Sequence, residues 1–301
     1  MNKKIFIILL LTNAAWAGTY AATKSLMGHA PYYLITSIRY IIAAIPLLLI
    51  AYHRTGLRMN AMDVFKCGLM GIATFTLSPV LMYAGVGLSR SSDAAIITAM
   101  EPLLVSLGAY IYLREKIGRK TAFALLIAFG GAMTLSEFWN TNGMINPLGT
   151  FLILFGVFFE SLYSVIGKQV LARHPALKVS AVTIALGSAF NMVTITALGL
   201  WPQAKGLTLS DWLVLVLYLS LLCTALGYTI WFVALKDTST ANVTITIFTQ
   251  PALGILISWI WVNETPTATT IIGALIIFIA VASVIIGNNS KPTKHLQNQP
   301  L

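Results

Sequence analysis

Charge is scarce in this chain. Of 301 residues only 9% are Asp, Glu, Lys or Arg, 57% are hydrophobic, and mean hydropathy is +0.83. A soluble domain carries about 25% charged residues, because water must solvate its surface. Nineteen Lys and Arg and nine Asp and Glu cannot cover a soluble body of this size. That excludes an ordinary soluble enzyme, and also a disordered chain, whose composition runs the other way. Cysteine is nearly missing: Cys67 and Cys223 stand alone, which excludes a disulfide-stapled secreted module. The histidines, His29, His53, His174 and His295, fall in loops or tails, and no His, Cys or Asp cluster has metal-ligand spacing. A phosphate-cradling G-x-x-x-x-G-K-[ST] loop is absent, so the chain does not itself hydrolyse ATP. No G-x-S-x-G elbow marks an intramembrane hydrolase. The expectation is a protein with no metal, no cofactor and no enzymatic chemistry of its own.

What the chain has is long apolar runs. Residues 179–204, 212–235, 238–263 and 265–290 contain no Lys, Arg, Asp or Glu, and neither do 5–23 and 67–89. A helix needs about 20 apolar residues to cross the hydrocarbon. Four more spans tolerate one or two charges: about 32–52 around Arg39, about 92–113 around Glu101, 118–138, and about 147–172 around Glu160. β-Barrel alternation is absent, and backbone satisfaction in lipid then leaves helices. The fold class expected is an all-α membrane protein of ten transmembrane helices. The links are short and carry breakers such as Asn142-Gly143, Trp201-Pro202 and Thr265-Pro266, so the chemistry lies within the bundle. Lys3-Lys4, the apolar run after it and Ala15-Trp16-Ala17 loosely imitate a signal peptide. The run continues to Ala22, and we read a retained first helix.

Threading ten spans from an inner N-terminus puts 15 of the 19 basic residues in inner segments. The positive-inside rule then makes both termini cytoplasmic. The net charge of +10 is this bias beside anionic lipid and needs no nucleic-acid partner. The chain also repeats: Glu101-Pro102 aligns with Gln250-Pro251 and Glu115 with Glu264, and residues 101–129 match their copy at 9 of 29 positions. Five helices per copy is odd, so the copies are expected to be inverted, as residues 1–140 and 141–290, with a cytoplasmic polar tail at 291–301. Inverted repeats are a signature of secondary transporters, whose substrate sits near the midplane between the halves.

Trp16-Ala17-Gly18 and Lys24 in helix 1, Ser37-Ile38-Arg39-Tyr40 in helix 2, Glu101-Pro102 and Leu113-Arg114-Glu115 in helix 4, and Gln250-Pro251 and Val262-Asn263-Glu264 in helix 9 carry a family likeness. From about residue 5 to 287 the chain resembles the EamA branch of the drug/metabolite transporter superfamily. The resemblance implies an inner-membrane carrier of small metabolites, often an exporter of amino-acid-like compounds. Glu160 stands where that family usually has a small residue or Trp, and Gln250 replaces a second Glu.

Charge inside a bilayer is expensive, so each instance is a site candidate. Arg39 is either a fork for a substrate carboxylate or half of a fixed pair with Glu101 or Glu160. Glu101 and Glu160 are either proton carriers and amine ligands, or structural carboxylates; Lys168 or Lys24 is an alternative partner for Glu160. Asn13, Trp16 and Tyr20 fall on one face of helix 1. With Tyr83, Tyr163 or Ser164, Tyr228, Trp231 and Gln250 they outline an aromatic, amide-rich pocket, although aromatics also serve as core fillers and interface anchors. Pro79, Pro102 and Pro251 lack an N–H and leave the carbonyls of Phe75, Thr98 and Ile247 without helical partners, which makes them candidate gating hinges. The partners expected are a small-molecule substrate, the lipid bilayer of the plasma (inner) membrane and protons as the candidate coupling ion. Oligomeric state stays open, as do a membrane-embedded enzyme and a channel or sensor.

Overall fold

The computed structural model describes residues 3–88, 97–135, 146–200, 207–254 and 267–286. Every regular element among them is helical, as hydrocarbon demands of a chain that cannot borrow hydrogen bonds from water. Five helical runs are long and apolar enough to cross a membrane: Tyr32–Thr55, Ala61–Gly85, Pro147–Leu171, Ala176–Ala197 and Leu209–Asp237. Shorter apolar helices accompany them. The elements are α1 (Lys3–Ala17), α2 (Thr19–Leu26), α3 (Tyr32–Thr55), α4 (Ala61–Ile72), α5 (Ser78–Leu88), α6 (Glu101–Tyr112), α7 (Arg119–Leu135), α8 (Pro147–Leu171), α9 (Ala176–Ala197), α10 (Leu209–Leu213), α11 (Gly227–Asp237), α12 (Thr240–Thr244) and α13 (Ala268–Ile286). Wide π-helical turns join α4 to α5 (Ala73–Leu77) and α10 to α11 (Val214–Leu226). A 3-10 segment, Ile245–Phe248, follows α12 and leads into a helix over 249–254.

Several boundaries differ from those read off the sequence. The charge-free runs understate helix length, because helices run on into polar ends. Thus α4 takes in Asp63 and Lys66 and starts at Asn60, whose side chain accepts from the Asp63 N–H at 2.7 Å. A capping box of Thr208 and Asp211 opens α10, and α11 runs on to Lys236 and Asp237. The single helix expected over 5–23 is interrupted at Gly18. There the Tyr218 hydroxyl donates to the Ala15 carbonyl at 2.6 Å, taking the acceptor that the next helical turn would have used.

The prolines behave as their missing N–H requires. The carbonyl freed by Pro79 is that of Phe75, and it accepts the Asn191 side-chain amide at 2.9 Å, within the π turn that precedes α5. Pro102 was expected to kink a continuous helix. Instead it occupies the first turn of α6, after a turn at 99–100, a place where a missing N–H costs nothing. Pro251 follows the 3-10 segment, so the backbone changes type beside each of the three.

The helices pair in a definite pattern: α3 with α9, α7 with α13, α6 with α12, α5 with α8, and α1 with α11 and the π stretch before it. Glycines permit the closest crossings. A Cβ on Gly71 would lie 2.5 Å from the Thr183 carbonyl oxygen and 2.7 Å from the Gly187 nitrogen, so α4 and α9 meet backbone to backbone. Outward-facing apolar side chains such as Ile111 (67% exposed), Phe123 (68%) and Ile279 (67%) would be a liability in water and are the surface that lipid covers.

Candidate functional site

Between these helices lies a cavity of about 490 Å³, within the range of small-molecule sites. Its walls come from α1, α2, α3, α5, the turn before α6 with the first residue of α6, α8, α11 and the 3-10 segment with the helix after it. The outer pair α7–α13 contributes nothing to it. Thr36, near the start of α3, and Tyr83, which stacks on Tyr32 at 4.9 Å, line one end. The other end is floored by rings: Tyr163 stacks on Phe232 at 4.1 Å, and Phe75 meets Tyr40, Tyr163 and Tyr228 edge-on at 4.9, 5.9 and 5.0 Å.

Most of the residues singled out in the sequence converge here. Trp16, Arg39, Tyr83, Glu101, Glu160, Tyr163, Tyr228, Trp231 and Gln250 all line the cavity, together with Pro79 and Pro251. Asn13 does not. It is fully buried behind the wall, donating to Thr246 Oγ1 (3.1 Å) and Leu9 O (2.8 Å) and accepting from Gln250 Nε2 (2.9 Å). Its effect on the cavity is to hold Gln250. Pro102 is buried and lies outside the lining. The Tyr20 side chain lies outside the described structure, as does Glu264.

The polar side chains are held by specific partners. Trp16 Nε1 donates to the Cys223 carbonyl at 2.7 Å, and its ring lies 5.3 Å from Tyr228 and 5.6 Å from Trp231. Trp231 Nε1 donates to Ser164 Oγ at 3.0 Å. The Tyr228 hydroxyl donates to Glu160 Oε1 at 3.0 Å. Lys168 is not the partner of Glu160; its amine is spent on backbone carbonyls at the end of α11.

Arg39 settles one of the alternatives. It is buried, with Nε donating to Thr224 Oγ1 at 2.7 Å and the guanidinium 5.5 Å from the Tyr40 ring centre. The charged contacts among the described residues are Asp63–Arg173, Asp63–His174 and His29–Asp211. Arg39 is in none of them, so it forms no contact pair with Glu101 or Glu160. Glu101 makes no hydrogen bond within the described structure, although it faces the same space and feels the Glu160 charge. The cavity thus presents a guanidinium with no contact ion pair among the described residues and two carboxyl groups, from three different helical segments, separated by aromatic walls. Among the described residues no three His, Cys, Asp or Glu side chains converge as metal ligands.

The supports Thr224 and Asn191 carry little sequence signal. Thr224 is 185 positions from Arg39, and Asn191 is 116 from Phe75; only the folded bundle brings them together.

A many-helix membrane protein enclosing a solute-sized, aromatic-walled cavity with a few charged groups has the architecture of a small-molecule carrier. The chain belongs to the EamA-like transporter family, whose model matches residues 3–136 and again 147–286. It is a multi-pass integral membrane protein of the plasma membrane. It is 25% identical over 307 residues to an uncharacterized transporter of Clostridium kluyveri, covering 98% of this chain and 96% of that one. It is 23% identical over 284 residues to a probable terminal-alkyne amino-acid exporter of Streptantibioticus cattleyicolor, covering 93% and 92%. A protein crystal structure superposes with a TM-score of 0.79 over 95% of this chain and 99% of that chain at 18% identity, a likeness of fold alone.

Proposed function

We propose that this protein is a secondary transporter that exports an amino-acid-like zwitterion or similar amphipathic solute across the plasma membrane by alternating access. It does so without chemical turnover, and protons are the coupling ion. The observation that carries this reading is the separation of charge in the cavity. The Arg39 fork suits a carboxylate, Glu160 and Glu101 suit an ammonium, and the Trp16–Tyr228–Trp231 rings suit the apolar remainder of the solute. A relative supports the class: the Streptantibioticus cattleyicolor protein is called a probable terminal-alkyne amino-acid exporter.

In this reading ten helices form two inverted repeats, 1–140 and 141–290, with both termini and the 291–301 tail in the cytoplasm. The twofold family match supports it. So does the pairing pattern: exchange of the halves maps α3–α9, α6–α12 and α7–α13 onto themselves, and maps α1–α11 onto the packing of α8 with α5. Pro79, Pro102 and Pro251, each beside a change of helix type, act as the hinges.

The test is counterflow. Purified protein in liposomes preloaded with one standard L-amino acid is given the same labelled amino acid outside, through the whole set. Saturable, trans-stimulated uptake of at least one is the expected result. Non-saturating flux would indicate a pore, and a chemically altered ligand an enzyme.

A further inference from the structure

The cavity stops at its aromatic floor, and beyond that floor the structure is fastened shut. Two rungs join α8 to α11. At the cavity Trp231 bonds Ser164; one helical turn further, Lys168 Nζ donates to the carbonyls of Leu235 (2.5 Å) and Thr238 (2.7 Å). The segment gripped by Lys168 is the short link from α11 to α12. The other end of that link is held by Glu115: its Oε2 accepts the Thr240 N–H at 2.9 Å and its Oε1 the Thr240 hydroxyl at 3.0 Å. Thr240 is fully buried.

Glu115 reaches this place through a backbone feature of its own. Arg114 has φ 55°, and it is the non-glycine residue with positive φ among the described residues. A left-handed conformation at a long side chain costs about 1–2 kcal/mol. It turns the chain at the end of α6 so that the Glu115 N–H reaches back to the Ala109 carbonyl (3.1 Å) and its carboxylate points under α12. A strained turn persists where surrounding contacts over-determine it, and such turns collect at switch regions. Here the contacts that hold it are the Glu115 N–H bond back to Ala109 and the two bonds from Thr240 to the Glu115 carboxylate.

We propose that Glu115 and Lys168 are the latch of an inner gate. Together they clamp the α11–α12 link and seal the cavity from the side that bears Lys66, Lys168 and Arg173, and the latch must release for the cavity to open there. The latch gains its purpose from the transport reading, but its geometry and first test do not depend on it. Glu115 and Lys168 touch no solute; they are positioning residues.

Two measurements decide it, both in a Cys67→Ala, Cys223→Ala background. In the first, a reporter cysteine replaces Ile247 at the cavity floor, and inside-out vesicles are treated with a membrane-impermeant maleimide. Releasing the latch with Glu115→Ala or Lys168→Met is expected to raise the labelling rate about ten- to hundredfold, the shift that loss of hydrogen bonds to a charged group produces. Glu115→Gln, which keeps one acceptor, falls between. An unchanged rate in the release variants, folded by gel filtration, overturns the proposal. In the second, Glu115→Cys and Thr240→Cys are joined by a reducible bis-methanethiosulfonate. Counterflow of L-amino acids is expected to stop and to return with reductant; full counterflow in the joined protein means the clamp never opens and overturns the proposal. Protein that moves none of the amino acids even unjoined counts against the transport reading, and the labelling rates still decide the latch.

Discussion

Replacing Arg39 with Met separates a solute-binding guanidinium from a structural one. Met keeps an apolar stem of similar length and removes the charge. The fold loses the Nε–H bond to Thr224, worth about 1.5–3 kcal/mol for a charged donor. Thr224 is not orphaned, because its hydroxyl still donates to the Leu219 carbonyl at 2.8 Å. The fold also sheds a buried cation that has no contact ion pair among the described residues, which returns part of the desolvation cost of burying it. These opposing contributions nearly cancel, so the Tm of Arg39→Met is expected to stay within a few degrees of wild type.

Binding responds differently. A solute carboxylate on the guanidinium loses a charge-assisted contact of about 1.5–3 kcal/mol, or roughly 12- to 150-fold in affinity. The assay is counterflow competition with two ligands: an L-amino acid that passes the screen, and the amine that lacks its carboxylate. Arg39→Met is expected to weaken the amino acid by that factor and to leave the amine unchanged or tighter, since a like charge has gone. Equal loss for both ligands, or a fall in Tm of ten degrees or more, about 3 kcal/mol at this size, would refute the assignment of Arg39 to the solute.

Glu160→Gln and Glu101→Gln are expected to abolish uptake driven by an imposed pH gradient while leaving some counterflow; full gradient-driven flux in both variants would end the proton-carrier reading. Tyr228→Phe deletes the donor to Glu160 Oε1 and should weaken solute binding by several-fold, about 1 kcal/mol, with a Tm change too small to account for it. Gly71→Ala forces a methyl group against the backbone of Thr183 and Gly187; a thermal scan should show a loss of at least about 1–3 kcal/mol, the cost of overpacking, and an unchanged Tm would mean that α4 and α9 separate easily. Asp63→Asn removes the charge that faces Arg173 at 2.6 Å and His174 at 2.9 Å. Because Arg173 is half exposed and rehydrates, the expected loss is about 1–2 kcal/mol rather than the 3–5 of a fully buried pair, read as a lower Tm.

Transmembrane segments were easy to read because hydrocarbon tolerates so few charges: the stretch 212–235 carries none and is helical throughout. Their ends were harder, since Asp63, Lys66 and Lys236 belong to helices yet read as loop. The site followed the same logic. Arg39, Glu101 and Glu160 stood out because burying charge is costly, and they meet in one cavity. Pro79 announced an unpaired carbonyl, and Asn191 answers it. Asn13 was placed on the cavity face by its spacing from Trp16, and both lie on the unbroken α1; the Asn13 side chain is nonetheless taken up by Leu9, Thr246 and Gln250 behind the cavity wall. The latch was invisible, because Glu115 and Thr240 are 125 positions apart and nothing in the chain announces a left-handed Arg114.

The charge count in the cavity carries a consequence for coupling. Arg39 can balance one of the two carboxyl groups, and the other needs a positive partner: a proton or the ammonium of a solute. Leaving it ionised and alone costs several kcal/mol in a poorly solvated space, while an ammonium at 4 Å returns about 4 kcal/mol at an effective dielectric constant of 20. The two cations therefore compete for one place. A cavity that closes empty and ionised carries one uncompensated negative charge across the membrane; a bound proton removes it, whereas a zwitterion, whose carboxylate offsets its ammonium, leaves the net charge unchanged. If protons are the coupling ion, as proposed, the step with the proton bound is expected to be the faster one, and flux measured at several pH values checks it. Glu160 carries this argument: with Glu101 alone the cavity would be neutral against Arg39, and Glu160→Gln is expected to remove the dependence of the empty step on pH.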